Sequence, residues 1–117
     1  MPKRNMLLYI VDALESIEAI EGYIEDMSFD DFVNDRKTYS ATIREYIVVG
    51  EAVSKTIEEL DVEIPDFPWR AIKDFRNFIV HEYFGVDARM VWDLSTNELE
   101  ELKEKLHYFK TLHANNE

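Results

Sequence analysis

Residues 69–85 read WRAIKDFRNFIVHEYFG, a stretch whose spacing favours an amphipathic helix. At about 100° per residue, one side of that helix gathers five apolar side chains, those of Ala71, Ile72, Phe75, Phe78 and Ile79. The other side carries mostly charged and polar groups. Gly85 stands where a helix commonly ends, because glycine adopts the left-handed conformation without a steric penalty. The stretch therefore predicts a helix over 69–84 that turns one side toward an apolar core.

Three other segments have the same periodicity. Apolar residues recur at three- and four-residue spacing over residues 7–24, 43–60 and 99–112. The second of these stops before Pro65 and Pro68, which cannot continue a helix. No stretch alternates in the manner of a strand. The pattern predicts an all-α fold with four main helices packed as a bundle.

Shorter signals complete this outline. SFDD at 28–31 and STNE at 95–98 both resemble helix-starting capping boxes, with Ser28 and Ser95 as the capping residues. Between them, VDARMVWDL predicts a short extra helical segment. We find no linker or internal repeat, so residues 1–117 are predicted to form a single domain. The polar end of the chain, about residues 113–117, is expected to be a frayed tail.

The composition limits the class of protein. A chain of 117 residues that is 46% hydrophobic is large enough to fold around one modest core. The absence of cysteine excludes disulfides, thiolate nucleophiles and cysteine-based zinc sites, and it is consistent with a reducing cytosol. No apolar run approaches the roughly 20 residues that a membrane helix needs. We therefore expect a cytoplasmic protein with no membrane association.

The charge balance argues against a general nucleic-acid surface. The chain has 13 basic and 25 acidic side chains and a net charge of −12, which repels phosphate at long range. Such a surface either keeps the protein dissolved or attracts a basic partner. Any RNA-directed role must therefore depend on a local cationic site.

The polar side of the predicted 69–84 helix is such a site. It gathers Arg70, Lys73, Asp74, Arg76, Asn77 and His81. Val80 and Phe84 fall among these charges, and exposed apolar groups in that position are best explained by a partner surface. A two-fold homodimer is the commonest arrangement of this kind. It would bring two copies of the Arg76 and His81 pair into one cleft.

These residue types fit the cleavage of a phosphodiester. A guanidinium can hold two phosphate oxygens that gain charge in the transition state. A histidine can accept or donate a proton near neutral pH. RNA brings its own nucleophile, the 2′-hydroxyl, so these two groups would suffice without a metal. The alternative for each residue is structural: Arg76 as a solvated charge, His81 as a cation at the helix end, and Tyr83 at the edge of the core.

The spacing Arg76, four residues, His81, one residue, Tyr83 resembles the R-x4-H-x-Y motif of HEPN domains. The longer run PWRAIKDFRNFIVHEYFGVD at 68–87 is similar to the HepT-like branch of that family, as is DRKTYSATIREYIVVGEA at 35–52. One position departs from the branch, which has an asparagine where this chain has Glu45.

The resemblance implies both a fold and an activity. HepT-like proteins are homodimeric, metal-independent endoribonuclease toxins of toxin–antitoxin systems, and they need no cofactor. By this likeness Arg76 and His81 are catalytic toward an RNA substrate, and Asn77 supports them. A cognate nucleotidyltransferase antitoxin inactivates such toxins by transferring AMP to the motif tyrosine, which corresponds to Tyr83. The alternative function is a non-catalytic helical module that binds a nucleotidyltransferase partner or a nucleotide.

Other candidate sites are weaker. Glu51, which follows Gly50, is either a buried polar group facing Arg76 or an ordinary boundary residue. His107 and His113 share no helical face and are expected at the surface. The sequence contains no recognisable metal site, glycine-rich phosphate loop or serine-based triad.

Overall fold

The structure, a computed structural model, describes residues 2–82 and 85–114. Within them the regular elements are six helices, in order α1 Lys3–Ile24, α2 Phe29–Asn34, α3 Arg36–Glu63, α4 Trp69–His81, α5 Ala88–Asn97 and α6 Leu99–Ala114. The predicted all-α class is confirmed. Tyr83 and Phe84, with the predictions placed on them, lie outside the described residues. None of the helices in the described ranges is long and apolar enough to cross a membrane.

The two longest helices, α1 and α3, pack against each other along their length. The buried side of α1 repeats every three or four residues, at Met6, Ile10, Leu14, Ile17, Ile20 and Ile24. Near the end of α1, the Tyr23 hydroxyl donates a hydrogen bond of 2.7 Å to Glu45 in the first half of α3. The helices are therefore antiparallel. On the other side of α1, the Lys103 ammonium of α6 lies 2.9 Å from Glu21.

Local signals account for several of the helix boundaries. Ser28 caps α2 as predicted, because its hydroxyl accepts a bond from the Asp31 amide while the Asp31 carboxylate accepts one from the Ser28 amide. The helix α3 ends at Glu63, ahead of the two prolines. The Trp69 indole then donates to the Ile64 carbonyl at 3.0 Å. This bond ties the start of α4 to the end of α3.

The helix α4 departs from its prediction in three respects. It ends at His81, three residues early, where the Glu82 amide donates to the Phe78 carbonyl. Gly85 does not take a positive φ; its amide donates to the Glu82 carbonyl at 2.7 Å. Of the predicted core side chains, Ile79 is fully buried, but Ala71 is exposed and Phe78 is 40% exposed. The core prediction is wrong for these two, because the apolar side of α4 is wider than the surface that α3 offers it.

The predicted capping box at 95–98 is also wrong. Ser95 lies inside α5 and is buried. Its hydroxyl donates to the Val91 carbonyl at 2.8 Å and therefore accepts from the Tyr46 hydroxyl, 2.6 Å away. Burial raises the pKa of Tyr46 to about 12, so that hydroxyl stays protonated and remains the donor. Ser95 thus ties α5 to α3, and α6 begins at Leu99.

Candidate functional site

The site is built where α4 crosses α3, at Gly50. This glycine lies in the middle of α3 and is buried. A Cβ placed on it would overlap the Cβ of Arg76 and lie 2.7 Å from its Cγ. Only a residue without a side chain permits this approach of the two helices. The base of the Arg76 side chain is consequently held against the α3 backbone.

The guanidinium of Arg76 is held from two directions. Its Nη2 lies 3.0 Å from Oε2 of Glu51, the residue after the crossing glycine. Its Nη1 donates a hydrogen bond of 3.0 Å to Oδ1 of Asn77. Of the two alternatives for Glu51, the structure supports the one in which it faces Arg76. It is not buried, since its side chain is 41% exposed, and Lys55 lies 3.9 Å away on its other side.

The donors of Arg76 can be counted. A guanidinium has five N–H groups. Glu51 and Asn77 each take one, and the Nε–H is buried without a hydrogen-bond partner among the described residues. One N–H therefore remains on each terminal nitrogen. The Arg76 side chain is 29% exposed, so part of it can be reached from solvent.

His81 is the last residue of α4 and is exposed. Along an ideal helix it lies about 7.5 Å from Arg76, and about 140° around the axis. In the part of the chain that the structure describes, no hydrogen bond or ion pair joins the two. Asn77 stands between them, about 40° from His81 around the helix. By accepting from Arg76, Asn77 draws the guanidinium toward the side of the helix that carries the imidazole.

Val80 lies on this same side and is 45% exposed, as the sequence predicted. Lys73 is partly exposed and Arg70 is exposed on the preceding turns. The described part of this side of α4 therefore carries three cations, the exposed carboxylate of Asp74 and the exposed apolar side chain of Val80. We call Arg76, Asn77, Val80 and His81 the α4 strip.

The remaining candidates fall elsewhere. His107 is exposed on α6, as predicted. His113 is not a free surface residue: its ring packs 4.3 Å from that of Phe109, and its Nε2 lies 3.5 Å from a carboxylate oxygen of Glu63. Within residues 2–82 and 85–114, no group of three or more acidic or histidine side chains is placed to hold a metal ion.

The position that departs from the HepT-like pattern has a structural role that the sequence did not reveal. The Glu45 carboxylate accepts the hydrogen bond from Tyr23. This bond, which stabilises the protonated phenol, raises the pKa of Tyr23. Glu45 therefore joins α1 to α3, and the spacing of residues along one helix contains no sign of this contact.

The fold and the α4 strip together define an all-α protein with a clamped guanidinium and an exposed imidazole on one helix. Comparison with known proteins agrees with this class. A family model described as ribonuclease HepT-like matches residues 13–109. This match spans most of the chain, and the chain belongs to the HepT-like family.

Individual relatives are similar over nearly their whole length. A protein of Methanocaldococcus jannaschii, provisionally named as an RNase, is 33% identical over 118 aligned positions, which cover 100% of this chain and 98% of the relative. A protein of Thermococcus cleftensis, named as a probable ribonuclease HepT, is 36% identical over 88% of this chain and 94% of its own. No solved structure matches the chain significantly.

Proposed function

We propose that this protein is a metal-independent endoribonuclease, acting as the toxin of a toxin–antitoxin pair. The observation that carries the proposal is the Arg76 guanidinium, clamped by Glu51 and Asn77 with one N–H left on each terminal nitrogen, on the helix that ends in an exposed His81. In a chain of net charge −12, this is a local site for a phosphate. The names of the relatives support the same activity.

The residues have distinct roles in the proposed reaction. The 2′-oxygen of RNA attacks the adjacent phosphorus, and the bond from phosphorus to the 5′-oxygen breaks. Arg76 holds the non-bridging oxygens, whose negative charge increases in the transition state. His81 accepts the proton of the 2′-hydroxyl or donates one to the departing 5′-oxygen. The products are a 2′,3′-cyclic phosphate and a 5′-hydroxyl.

Asn77 and Glu51 act through Arg76 and do not touch the substrate. Asn77 keeps the guanidinium turned toward the histidine side of α4. The Glu51 carboxylate holds the other terminal nitrogen, and it also offsets the charge of the site in the absence of RNA. Both are positioning residues, because each uses one N–H of the guanidinium and leaves the other N–H of that terminal nitrogen for the phosphate.

We further propose that the active form is a homodimer. Arg76 and His81 of one chain point to sides of α4 about 140° apart, so a second copy can bring its own imidazole toward the guanidinium. Val80, exposed between them, would be buried in this contact. Light scattering at micromolar concentration should give twice the 13.9 kDa mass of the chain. A monomer mass throughout that range would exclude this assembly.

The proposed regulator is a cognate nucleotidyltransferase that transfers AMP to Tyr83 in the cytoplasm. The support is the family of the chain and the position of this tyrosine two residues after His81. A bulky phosphate there would compete with RNA for the guanidinium. Intact-mass spectrometry after co-expression should show added AMP, and Tyr83→Phe should abolish the addition. Persistence of AMP in that variant would assign it to another residue.

The test of the activity itself is cleavage of total RNA by the purified chain in EDTA. We expect cleavage to continue, products that end in 2′,3′-cyclic phosphate, and intact DNA, which lacks the nucleophile. The alternative is a non-catalytic module that binds the nucleotidyltransferase or a nucleotide. A folded, pure protein that cleaves no RNA would favour that alternative, and cleavage abolished by EDTA would contradict the metal-independent mechanism.

A further inference from the structure

A half-open apolar groove of about 260 Å³ lies on the flank of α4 that carries Ala71 and Phe75. Its walls come from four helices and the loop before α4. The apolar lining consists of Tyr46, Val49, Phe67, Pro68, Ala71, Ile72, Phe75, Leu94, Leu99 and Leu102. None of the α4 strip residues is among them. The groove is therefore separate from the proposed site of RNA cleavage.

Two contacts hold the lining of this groove together. Tyr46 is part of this lining, and its hydroxyl donates to that of Ser95 at 2.6 Å, which joins α3 to α5. The rings of Tyr46 and Phe75 meet edge to face, 5.6 Å between centroids. The cavity is thus preformed, and a ligand would not have to order it. The exposure of Ala71, unexpected for a residue on the apolar side of α4, follows from its place in this wall.

The rim of the groove is acidic. Asp66, Glu98 and Glu101 line it, and all three are exposed. The lining includes no lysine, arginine or histidine. In the described part of the chain, no ion pair neutralises any of these three carboxylates. The groove therefore combines an apolar floor with an uncompensated negative rim.

We propose that this groove binds a short segment of a protein partner that presents a large apolar side chain flanked by lysine or arginine. The apolar side chain would insert between Ala71, Phe75 and Leu102, and the flanking cations would meet the three carboxylates. A buried anchor surrounded by polar contacts is the usual arrangement of a peptide-binding site. The inference goes beyond the proposed ribonuclease function and does not depend on it.

Size and charge select this occupant over others. Sites for whole small molecules usually have about 300–1,000 Å³, so a cavity of about 260 Å³ suits one or two side chains better. RNA is disfavoured because its phosphates would meet the carboxylates. A second copy of this chain, at net charge −12, would bring more negative charge to an acidic rim. A basic and apolar peptide is complementary on both counts.

The test is a selection of random short peptides displayed on phage against the immobilised full chain. We expect the enriched sequences to share an aromatic or aliphatic residue between basic ones. A synthetic peptide of the enriched sequence should bind the full chain in fluorescence anisotropy. Ala71→Trp fills the groove from an exposed position, and it should weaken this binding at least about tenfold. The double variant Glu98→Lys with Glu101→Lys should weaken it similarly by reversing the rim charge.

The matched control is Asp12→Lys with Glu15→Lys. These two carboxylates line another acidic cleft, between α1 and α3, so the change in net charge is the same while the groove is untouched. We expect less than about a twofold change in affinity from the control, since exposed charges at a distance are screened. Circular dichroism verifies that each variant is folded. RNA cleavage by all three variants should match that of the unaltered chain, which separates this test from that of the proposed function.

Three results would overturn the proposal. One is a selection that enriches no peptide, or only peptides without an apolar residue flanked by cations. Another is enriched peptides that bind the folded Ala71→Trp variant as tightly as the unaltered chain. The third is a change in oligomeric mass caused by Ala71→Trp in light scattering, because it would identify a second copy of the chain as the occupant.

Discussion

Replacing either Arg76 or His81 by alanine is expected to slow RNA cleavage at least about 100-fold. This is the usual effect of removing one group that stabilises charge or transfers a proton in a transition state. Neither change should unfold the chain. His81 is exposed at the end of α4, and removing Arg76 leaves Glu51 partly solvated, with Lys55 still close to it. The measurement is the rate of cleavage of a labelled RNA, with circular dichroism to verify the helical fold.

Matched controls make this test specific. His107→Ala removes another exposed histidine, on α6, and should cleave at the unaltered rate. Arg4→Ala removes an exposed arginine of α1 and controls for the loss of one positive charge. A folded His81→Ala protein that keeps its full activity would contradict the assignment of proton transfer to this residue. Equal losses in the control variants would point to a general charge effect and away from catalysis by Arg76.

The second large effect is expected from Gly50→Ala, a change of one methyl group. Its Cβ would overlap that of Arg76, which is the rigid base of the side chain and cannot swing away. The helices α3 and α4 must separate, and overpacking of this kind costs about 1–3 kcal/mol. Alanine regains up to about 1 kcal/mol through its better helix propensity. Because the second effect offsets part of the first, we expect the free energy of unfolding to fall by up to about 2 kcal/mol, measured by urea denaturation.

In the same Gly50→Ala variant, we expect the loss in the rate of RNA cleavage to be larger than the loss in the free energy of unfolding. Arg76 is displaced together with α4, and a shift of about 1 Å in a group that holds the substrate can cost about 100-fold in rate. The control is Gly22→Ala in α1, where nothing lies within 4 Å of the new methyl group. That variant should be unchanged in activity and more stable by up to about 1 kcal/mol. Both are compared at one protein concentration, because an oligomer is stabilised by mass action.

Comparing Gly50→Ala with Gly22→Ala shows whether the contact between α3 and α4 positions Arg76 or only stabilises the fold. If Gly50→Ala is as stable and as active as Gly22→Ala, the two helices can separate without consequence, and the crossing does not position Arg76. If Gly50→Ala is destabilised but fully active, the crossing serves the fold alone. Only the loss of both supports the role inferred from the geometry.

The sequence by itself determined the features that act within one or two helical turns. Its periodicity predicted the all-α class, and the prolines after residue 63 marked the end of α3. The reciprocal hydrogen bonds between Ser28 and Asp31 could be predicted because the two residues are only three positions apart in the sequence. The motif residues of α4 were also found from spacing, and the family of the chain is the one that this motif indicated. The roles assigned to these residues stay predictions.

Contacts between helices were decided only by the tertiary structure. STNE has the composition of a capping box, but the hydroxyl of Ser95 is used inside α5, where Tyr46, 49 residues away, supplies a donor. The exposure of Ala71 depends on the open groove that α5 and α6 leave beside it.

The candidate site shows the same limit. Gly50 could be an ordinary helical residue in any one-dimensional pattern, and its importance comes from Arg76 on the facing helix. The partners of the guanidinium, Glu51 on α3 and Asn77 on α4, are selected by that same approach of the two backbones. Periodicity reports which side of a helix is apolar, whereas the distance between two helices depends on every side chain at their crossing. The chemical groups of the candidate site could therefore be predicted from the sequence, but their arrangement in space could not.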